Sequence, residues 1–418
     1  SALMSLAKAS VWTSFSTLIK ILAGLLVVKL LAVSYGPEGI GLAGNFRQMV
    51  TVLGVLAGAG IFNGVTRYVA EYQDQPARLQ ALTATSSSII IGSSLLLCVV
   101  FSLAAAPISQ LLFGSDHYRQ VIRIVAFLQA GIAWANLLQA QLKGYRNAQA
   151  NALVVAGGSL LGVAGYLLCW LAGGYSGALA GIALVPAISL LPAIALLKSG
   201  TTLQWHWFIP QWDPRLAALL FRYTLMALMT AITLPVAWII MRNLLAAHAG
   251  WQQVGLWQGV SSISDAWLQF ITATFSVWLL PTLAKQSDKQ ATGRVIFRAL
   301  RFVMPVVAGV ALLVWLLRDV AIWLLFTAKF AAMRDLFIWQ LTGDFFKVGA
   351  YVFGYLVIAK ASLRFYLLTE LSQFVLLLAS ASWLIPVHGV SGAVQAYCLT
   401  YMLYFALCGA VFMYWYRK

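Results

Sequence analysis

Charged side chains are scarce in this chain of 418 residues. They make up 9% of the sequence, whereas hydrophobic residues make up 62%. A soluble domain of this size needs a far more polar surface, so the composition excludes that class. The sequence therefore predicts a polytopic membrane protein.

The motifs of several chemistries are also missing. The chain has no GxxxxGK[ST] loop, which excludes nucleotide hydrolysis by this chain. Its four cysteines show no CxxC spacing, and no cluster of histidines or paired carboxylates indicates a metal site or hydrolysis. We expect no cofactor. Energy for transport is then expected from a proton or sodium gradient, the membrane potential or removal of the substrate.

Long apolar runs, each of roughly 20 residues or more, predict twelve membrane spans. Such runs are too long for the strands of a barrel, so helices are predicted. The spans are placed near 11–34, 45–70, 80–105, 119–142, 150–172, 176–197, 215–245, 251–282, 296–317, 334–359, 363–385 and 390–415. One membrane side collects 17 Lys and Arg and the other collects 7, Arg242 among them, so both termini are predicted to be cytoplasmic. This asymmetry and anionic lipid account for the basic charge without nucleic acid.

An internal repeat divides the predicted spans. Segments at offsets of 213 to 215 residues match: 36–42 with 250–256, 111–113 with 324–326, and 174–178 with 389–393. Because each repeat holds an even number of spans, we predict two parallel six-helix lobes around a central cleft. The lobes are predicted at 4–198 and 214–418. Residues 199–213 form an interfacial cytoplasmic linker with His206, and residues 1–3 are interpreted as a cloning remnant before Met4.

Cations in the first two spans give the first functional signal: Lys20, Lys29, Arg47 and Arg67. A charge at this depth costs several kcal/mol, which water, a partner or an anionic ligand must offset. We interpret the four cations as candidate substrate-binding residues. Lys29 lies half a helical turn around from Lys20, so a straight helix cannot turn both toward one cleft. Lys29 either extends to the interface or lies on a bent helix.

Ionisable residues in the second lobe give another signal. Asp265, Asp344, Lys347 and Glu370 are candidate coupling or gating residues. Asp344 and Lys347 are spaced i, i+3, which leaves both a structural ion pair and ion coupling open. Pro235, central in its span, is the predicted hinge.

Segment 35–42 (YGPEGIGL), at the first corner of two six-helix lobes, resembles the Wzx-type lipid-linked oligosaccharide flippases. These belong to the multidrug/oligosaccharidyl-lipid/polysaccharide (MOP) exporter superfamily. The resemblance implies a MATE-like fold in the bacterial inner membrane. It also implies translocation of an undecaprenyl-pyrophosphate-linked oligosaccharide to the periplasmic leaflet by alternating access. The implied partners are a polysaccharide polymerase and a chain-length regulator, and a monomer is expected.

The resemblance also bears on the cations. In related peptidoglycan-precursor flippases, a basic residue matching Lys20 lines the cleft and attracts the pyrophosphate, and Lys29 matches another basic position. Those relatives carry arginine deep in the second span, whereas this chain has none between Arg47 and Arg67.

Two other functions were weighed. An ion-coupled multidrug antiporter of the same superfamily would use an acid inside the first lobe's spans, which this sequence lacks. A membrane enzyme, such as a polyprenyl-linked sugar polymerase or ligase, would need a large periplasmic loop with catalytic groups.

Overall fold

A computed structural model describes residues 2–275, 279, 282–283, 286–360 and 362–418. Ser1 of the interpreted remnant and part of the predicted span 251–282 lie outside the described residues. All regular secondary structure within them is helical. The α-helices are α1 (Ala2–Leu56), α2 (Phe62–Glu71), α3 (Pro76–Leu103), α4 (Ala105–Phe113), α5 (Arg119–Gly144), α6 (Ala148–Ile188), α7 (Leu190–Leu196), α8 (Pro214–Ile232), α9 (Leu234–Ala249), α10 (Trp251–Thr274), α11 (Lys289–Leu316), α12 (Arg318–Leu325), α13 (Phe337–Ala359), α14 (Leu363–His388) and α15 (Val390–Arg417).

Eight helical segments in the described part of the chain are long and apolar enough to cross a membrane. Two of them, Lys8–Leu56 and Ala148–Leu196, have 49 residues each. A helix of that length spans about 74 Å, more than twice the hydrocarbon core, so each supplies two crossings. With α10 and α13, of 24 and 23 residues, the described residues supply the twelve predicted crossings. The predicted all-α polytopic fold is confirmed.

The internal repeat is visible in the backbone at its glycines. Gly36 (φ 66°, ψ −166°) and its repeat partner Gly250 (φ 88°, ψ 164°) both interrupt the helical path. Gly174 (φ 61°, ψ −135°) and Gly389 (φ 62°, ψ −131°) do the same at the second matched site. Positive φ is strained for residues with a Cβ atom, which explains why glycine stands at all four corners.

The chain forms two compact units, each made of two segments. Unit 1 comprises residues 1–27 and 45–235, and unit 2 comprises residues 28–44 and 236–418. In unit 1, α5 packs against α2, α3, α6 and α7; in unit 2, α15 packs against α13 and α14. The lobe boundaries at 198 and 214 and the linker between them stay a prediction.

The linker contains a short 3-10 helix, Trp205–Phe208. Trp207 is buried, whereas His206 is exposed. The Gln211 carbonyl accepts a hydrogen bond from the Ser88 hydroxyl at 2.6 Å, which fastens the linker to α3.

The second predicted span, 45–70, is not one helix. α1 ends at Leu56, and α2 begins only at Phe62. Between them Gly58, Ala59 and Gly60 adopt φ values of 78°, 63° and 67°. Left-handed residues cannot continue a right-handed helix, so the prediction of an unbroken span is wrong.

Pro235 lies just after a second break. α8 ends at Ile232, Thr233 is non-helical (φ −80°, ψ −97°), and α9 begins at Leu234. Proline fits the first turn of a helix because its missing N–H has no partner there. The boundary between the two units also falls after Pro235. This placement is consistent with a hinge, and the hinge role stays a prediction.

Candidate anion-binding and coupling sites

Lys20 lies on α1 in unit 1, and its side chain is exposed. Within the described residues its ammonium has no hydrogen bond or ion pair. Gly24, one helical turn further on, has no heavy atom within 4 Å of the place where a Cβ would stand, so this face of α1 is open. Lys20 therefore has room for a ligand on the face where the sequence predicts one.

Lys29 is half-buried and belongs to unit 2. Its Nζ donates hydrogen bonds to the carbonyl oxygens of Trp323 (3.3 Å) and Phe326. These carbonyls lie at the C-terminal end of α12, where helical carbonyls lack intrahelical partners and a positive charge is favourable. Lys29 therefore caps α12. Its predicted contact with substrate stays a prediction.

Arg67 is exposed on α2, and other groups of unit 1 already contact its guanidinium. Its Nε lies 3.1 Å from Glu71 Oε1, and one terminal nitrogen donates to the Tyr223 hydroxyl at 3.0 Å. Its Cζ also lies 5.2 Å from the centre of the Tyr68 ring. Arg67 thus joins α2 to α8. Arg47, half-buried on α1, belongs to the same unit.

Asp344 is fully buried on α13 and is held by hydroxyl groups. The Ser264 hydroxyl lies 2.6 Å from both carboxylate oxygens, and the Tyr397 hydroxyl donates to one of them at 2.5 Å. Gln340 in turn donates to the Ser264 hydroxyl at 3.1 Å. Burial of a carboxylate requires such hydrogen bonds, and the structure supplies them from three helices.

Lys347 lies one turn after Asp344, and aromatic rings surround its ammonium. Nζ lies 5.9, 5.4 and 5.0 Å from the ring centres of Tyr351, Tyr397 and Tyr401, within the range of cation–π attraction. No ion pair joins Asp344 to Lys347 among the described residues. Tyr397 connects the two instead, since its hydroxyl bonds Asp344 and its ring faces Lys347.

The other two predicted coupling residues approach the same cluster. Asp265 is exposed on α10 beside Ser264, and its charge acts on both Asp344 and Lys347. Glu370, half-buried on α14, acts on Tyr401. The structure therefore brings together four ionisable residues that the sequence predicts separately.

The hydroxyl and ring partners were missed from the sequence. Tyr397 and Tyr401 stand four residues apart on α15, a spacing that puts both on one helical face. That spacing is the signal that would have found them. Ser264 has no such signal, because nothing in the sequence pairs it with Asp344.

Arg242 is a further correction. Predicted among the loop cations, it lies inside α9 and is only 7% exposed. Its Nε donates to Gln258 Oε1 at 3.0 Å, and its Cζ lies 5.6 Å from the centre of the Trp257 ring. Trp238 lies between the rings of Trp257 (5.9 Å) and Tyr397 (6.1 Å). A row of aromatic rings thus extends from the arginine to the Asp344 cluster.

The family described as "Polysaccharide biosynthesis protein" matches residues 6–287. The chain belongs to this family. It is 60% identical over 415 residues to each of two curated relatives named "Lipid III flippase", from Escherichia coli strain K12 and from Shigella flexneri. The alignment covers 99% of this chain and 100% of each relative. The resemblance to lipid-linked oligosaccharide flippases is confirmed.

A solved structure places this member of the polysaccharide biosynthesis family among known folds. It is an inward-facing multidrug-resistance MATE transporter of the MOP superfamily, with a TM-score of 0.79 and 13% identity. The alignment covers 98% of both chains. The predicted MATE-like fold of the MOP superfamily is thereby confirmed.

Proposed function

We propose that this chain is a flippase for an undecaprenyl-pyrophosphate-linked oligosaccharide, and specifically for lipid III of enterobacterial common antigen. The observation that carries the proposal is the 60% identity, over the full length, to relatives named lipid III flippases. The protein is a transporter and not an enzyme, and it acts within the lipid bilayer.

The chemistry of the proposed substrate fits unit 1. The head group carries a diphosphate, which cannot enter hydrocarbon unaided, whereas its polyprenyl tail is at home in lipid. Lys20 offers an exposed ammonium without a counter-ion among the described residues and with open space beside it. Such a cation is costly in a membrane unless it contacts water or an anion, and a passing diphosphate supplies the anion.

Alternating access from the cytoplasmic to the periplasmic leaflet of the inner membrane, with both termini cytoplasmic, completes the proposal. Asp344, Lys347, Asp265 and Glu370 are the proposed coupling residues, with a proton, sodium or the membrane potential as the driving force. A polysaccharide polymerase and a chain-length regulator are the proposed partners. Both act on a lipid-linked oligosaccharide that has already reached the periplasmic leaflet.

Reconstitution tests the proposal. Purified protein is placed in liposomes with a polyprenyl-diphosphate oligosaccharide, and the fraction of head groups accessible from each side is followed over time. We expect the wild-type protein to move head groups across the bilayer and protein-free liposomes to move none. Equal rates with and without protein, for every polyprenyl-diphosphate sugar tried, would overturn the proposal.

A further inference from the structure

A second lysine in unit 1 lies within electrostatic reach of Lys20. Lys143 stands in the last turn of α5, and its charge and that of Lys20 act on each other. It is exposed, and within the described residues its ammonium, like that of Lys20, has no hydrogen bond or ion pair. Two neighbouring cations without a counter-ion repel each other, so the site as it stands lacks an anion.

Each lysine continues a polar stripe along its helix. On α5, Asn136 and Gln139 precede Lys143 at spacings of three and four residues, which places all three on one face. Both amides are half-buried, and Asn136 Nδ2 donates to the Gly54 carbonyl at 2.9 Å, two residues before the end of α1. The stripe thus runs from Lys143 toward the break between α1 and α2.

The stripe on α1 has the same character. Thr13 and Thr17 precede Lys20 at spacings of four and three residues, and Gly24 follows after four. Amide and ammonium groups facing lipid tails would lose their hydrogen bonds to water, at a cost of several kcal/mol each. We therefore read the two stripes as walls of a wet groove rather than as lipid-facing surface.

From this geometry we propose that Lys143 and Lys20 form a two-lysine binding site for a diphosphate. A bound dianion replaces the repulsion between the two ammonium groups by two attractions, which a single phosphate charge does less well. Lysine suits a mobile ligand, because its compact charge on a flexible stem can follow the phosphates without a fixed bidentate geometry. The inference deepens the proposed function, on which it rests, by assigning Lys143 a substrate contact.

Binding measurements on the full-length protein in nanodiscs test the site. The probes are polyprenyl diphosphate, polyprenyl monophosphate and inorganic diphosphate, and the variants are Lys143→Gln, Lys20→Gln and Lys143→Arg. Lys198→Gln is the matched control, since Lys198 is an exposed lysine of the same unit. We expect each single Gln variant to lower the affinity for polyprenyl diphosphate about tenfold, the loss of one charged hydrogen bond. Lys143→Arg should restore most of it.

The preference for diphosphate over monophosphate is the decisive readout, because a merely structural lysine would not set it. We expect both Gln variants to lose that preference and Lys198→Gln to keep it. Equal preference in Lys143→Gln and the wild-type protein would overturn the site. Tight binding of inorganic diphosphate would identify the phosphates alone as the ligand, whereas weak binding would show that the lipid is required.

Failure of the proposed function would look different. A wild-type protein that binds polyprenyl diphosphate through Lys143 but moves no lipid-linked sugar would leave the site standing and remove the flippase. A wild-type protein that moves lipid, with Lys143→Gln equally active and equally selective, would remove the site alone.

Discussion

The two units treat charge in opposite ways. In unit 1, Lys20 and Lys143 are exposed, and the described residues offer them no anion. In unit 2, Asp344 is fully buried and accepts hydrogen bonds from Ser264 and Tyr397, and Lys347 is surrounded by tyrosine rings. A group without a partner awaits a ligand, whereas a satisfied group stabilises or switches the protein itself. The contrast assigns substrate binding to unit 1 and coupling to unit 2.

The repeat makes this contrast sharper. The glycine corners recur with the same backbone angles, yet at the offset of 214 residues Lys20 meets Leu234 and Asp344 meets Ala130. The architecture was therefore duplicated without its charges. Each unit carries ionisable residues that the matching positions of the other lack.

The largest expected effect comes from Lys20→Ala. We expect translocation of the lipid-linked oligosaccharide to be abolished, because the diphosphate loses its principal cation, while membrane insertion and thermal stability remain. Reconstituted transport and a melting curve measure the two. The control is Lys198→Ala, with normal transport. Full transport by Lys20→Ala would break the assignment of binding to unit 1.

Asp344→Asn should affect the same assay differently. The amide keeps an oxygen to accept one hydroxyl but removes the charge, so a buried donor is weakened and Lys347 loses its nearby anion. We expect a loss of about 1–3 kcal/mol in the free energy of unfolding. Transport should slow while polyprenyl diphosphate still binds with unchanged affinity. The control is Asp335→Asn, at an exposed acid of the same unit. Loss of affinity in Asp344→Asn would erase the division of labour.

Much of the fold could be predicted because its signals are local. Apolar runs count the crossings, and the matched glycines mark corners that need positive φ at those positions. The break at 57–61 could not be predicted, since closely spaced glycines fit a packed helix as well as a turn. The partners of Asp344 were equally hidden: Ser264 and Tyr397 lie on other helices, and only packing brings them together. Arg242 was misplaced because loop charge, not burial, guided its assignment.

Lys29→Gln tests whether every cation of the first span binds substrate. Removing the charge that caps α12 should lower the free energy of unfolding by about 1 kcal/mol, from one hydrogen bond and the helix dipole. Affinity for polyprenyl diphosphate should not change. Lys329→Gln, at an exposed lysine of the same unit, is the control and should do neither. A selective loss of affinity in Lys29→Gln would return this lysine to the binding site.

The smallest expected effect concerns an exposed ion pair of unit 2. Arg334 Nε donates to Asp319 Oδ1 at 2.9 Å, and this hydrogen bond holds the pKa of the Asp319 carboxyl below its usual value. A depressed pKa in the folded state adds stability above the unfolded pKa, and that stability is lost as the pH falls through the folded pKa. Asp319→Asn should therefore lower the melting temperature slightly at neutral pH, and the difference from wild type should vanish in acid. Because the pair is exposed, high salt should also remove it, which neither the buried Asp344 cluster nor its variant should show. A salt-independent difference would mean that Asp319 contributes through packing rather than charge.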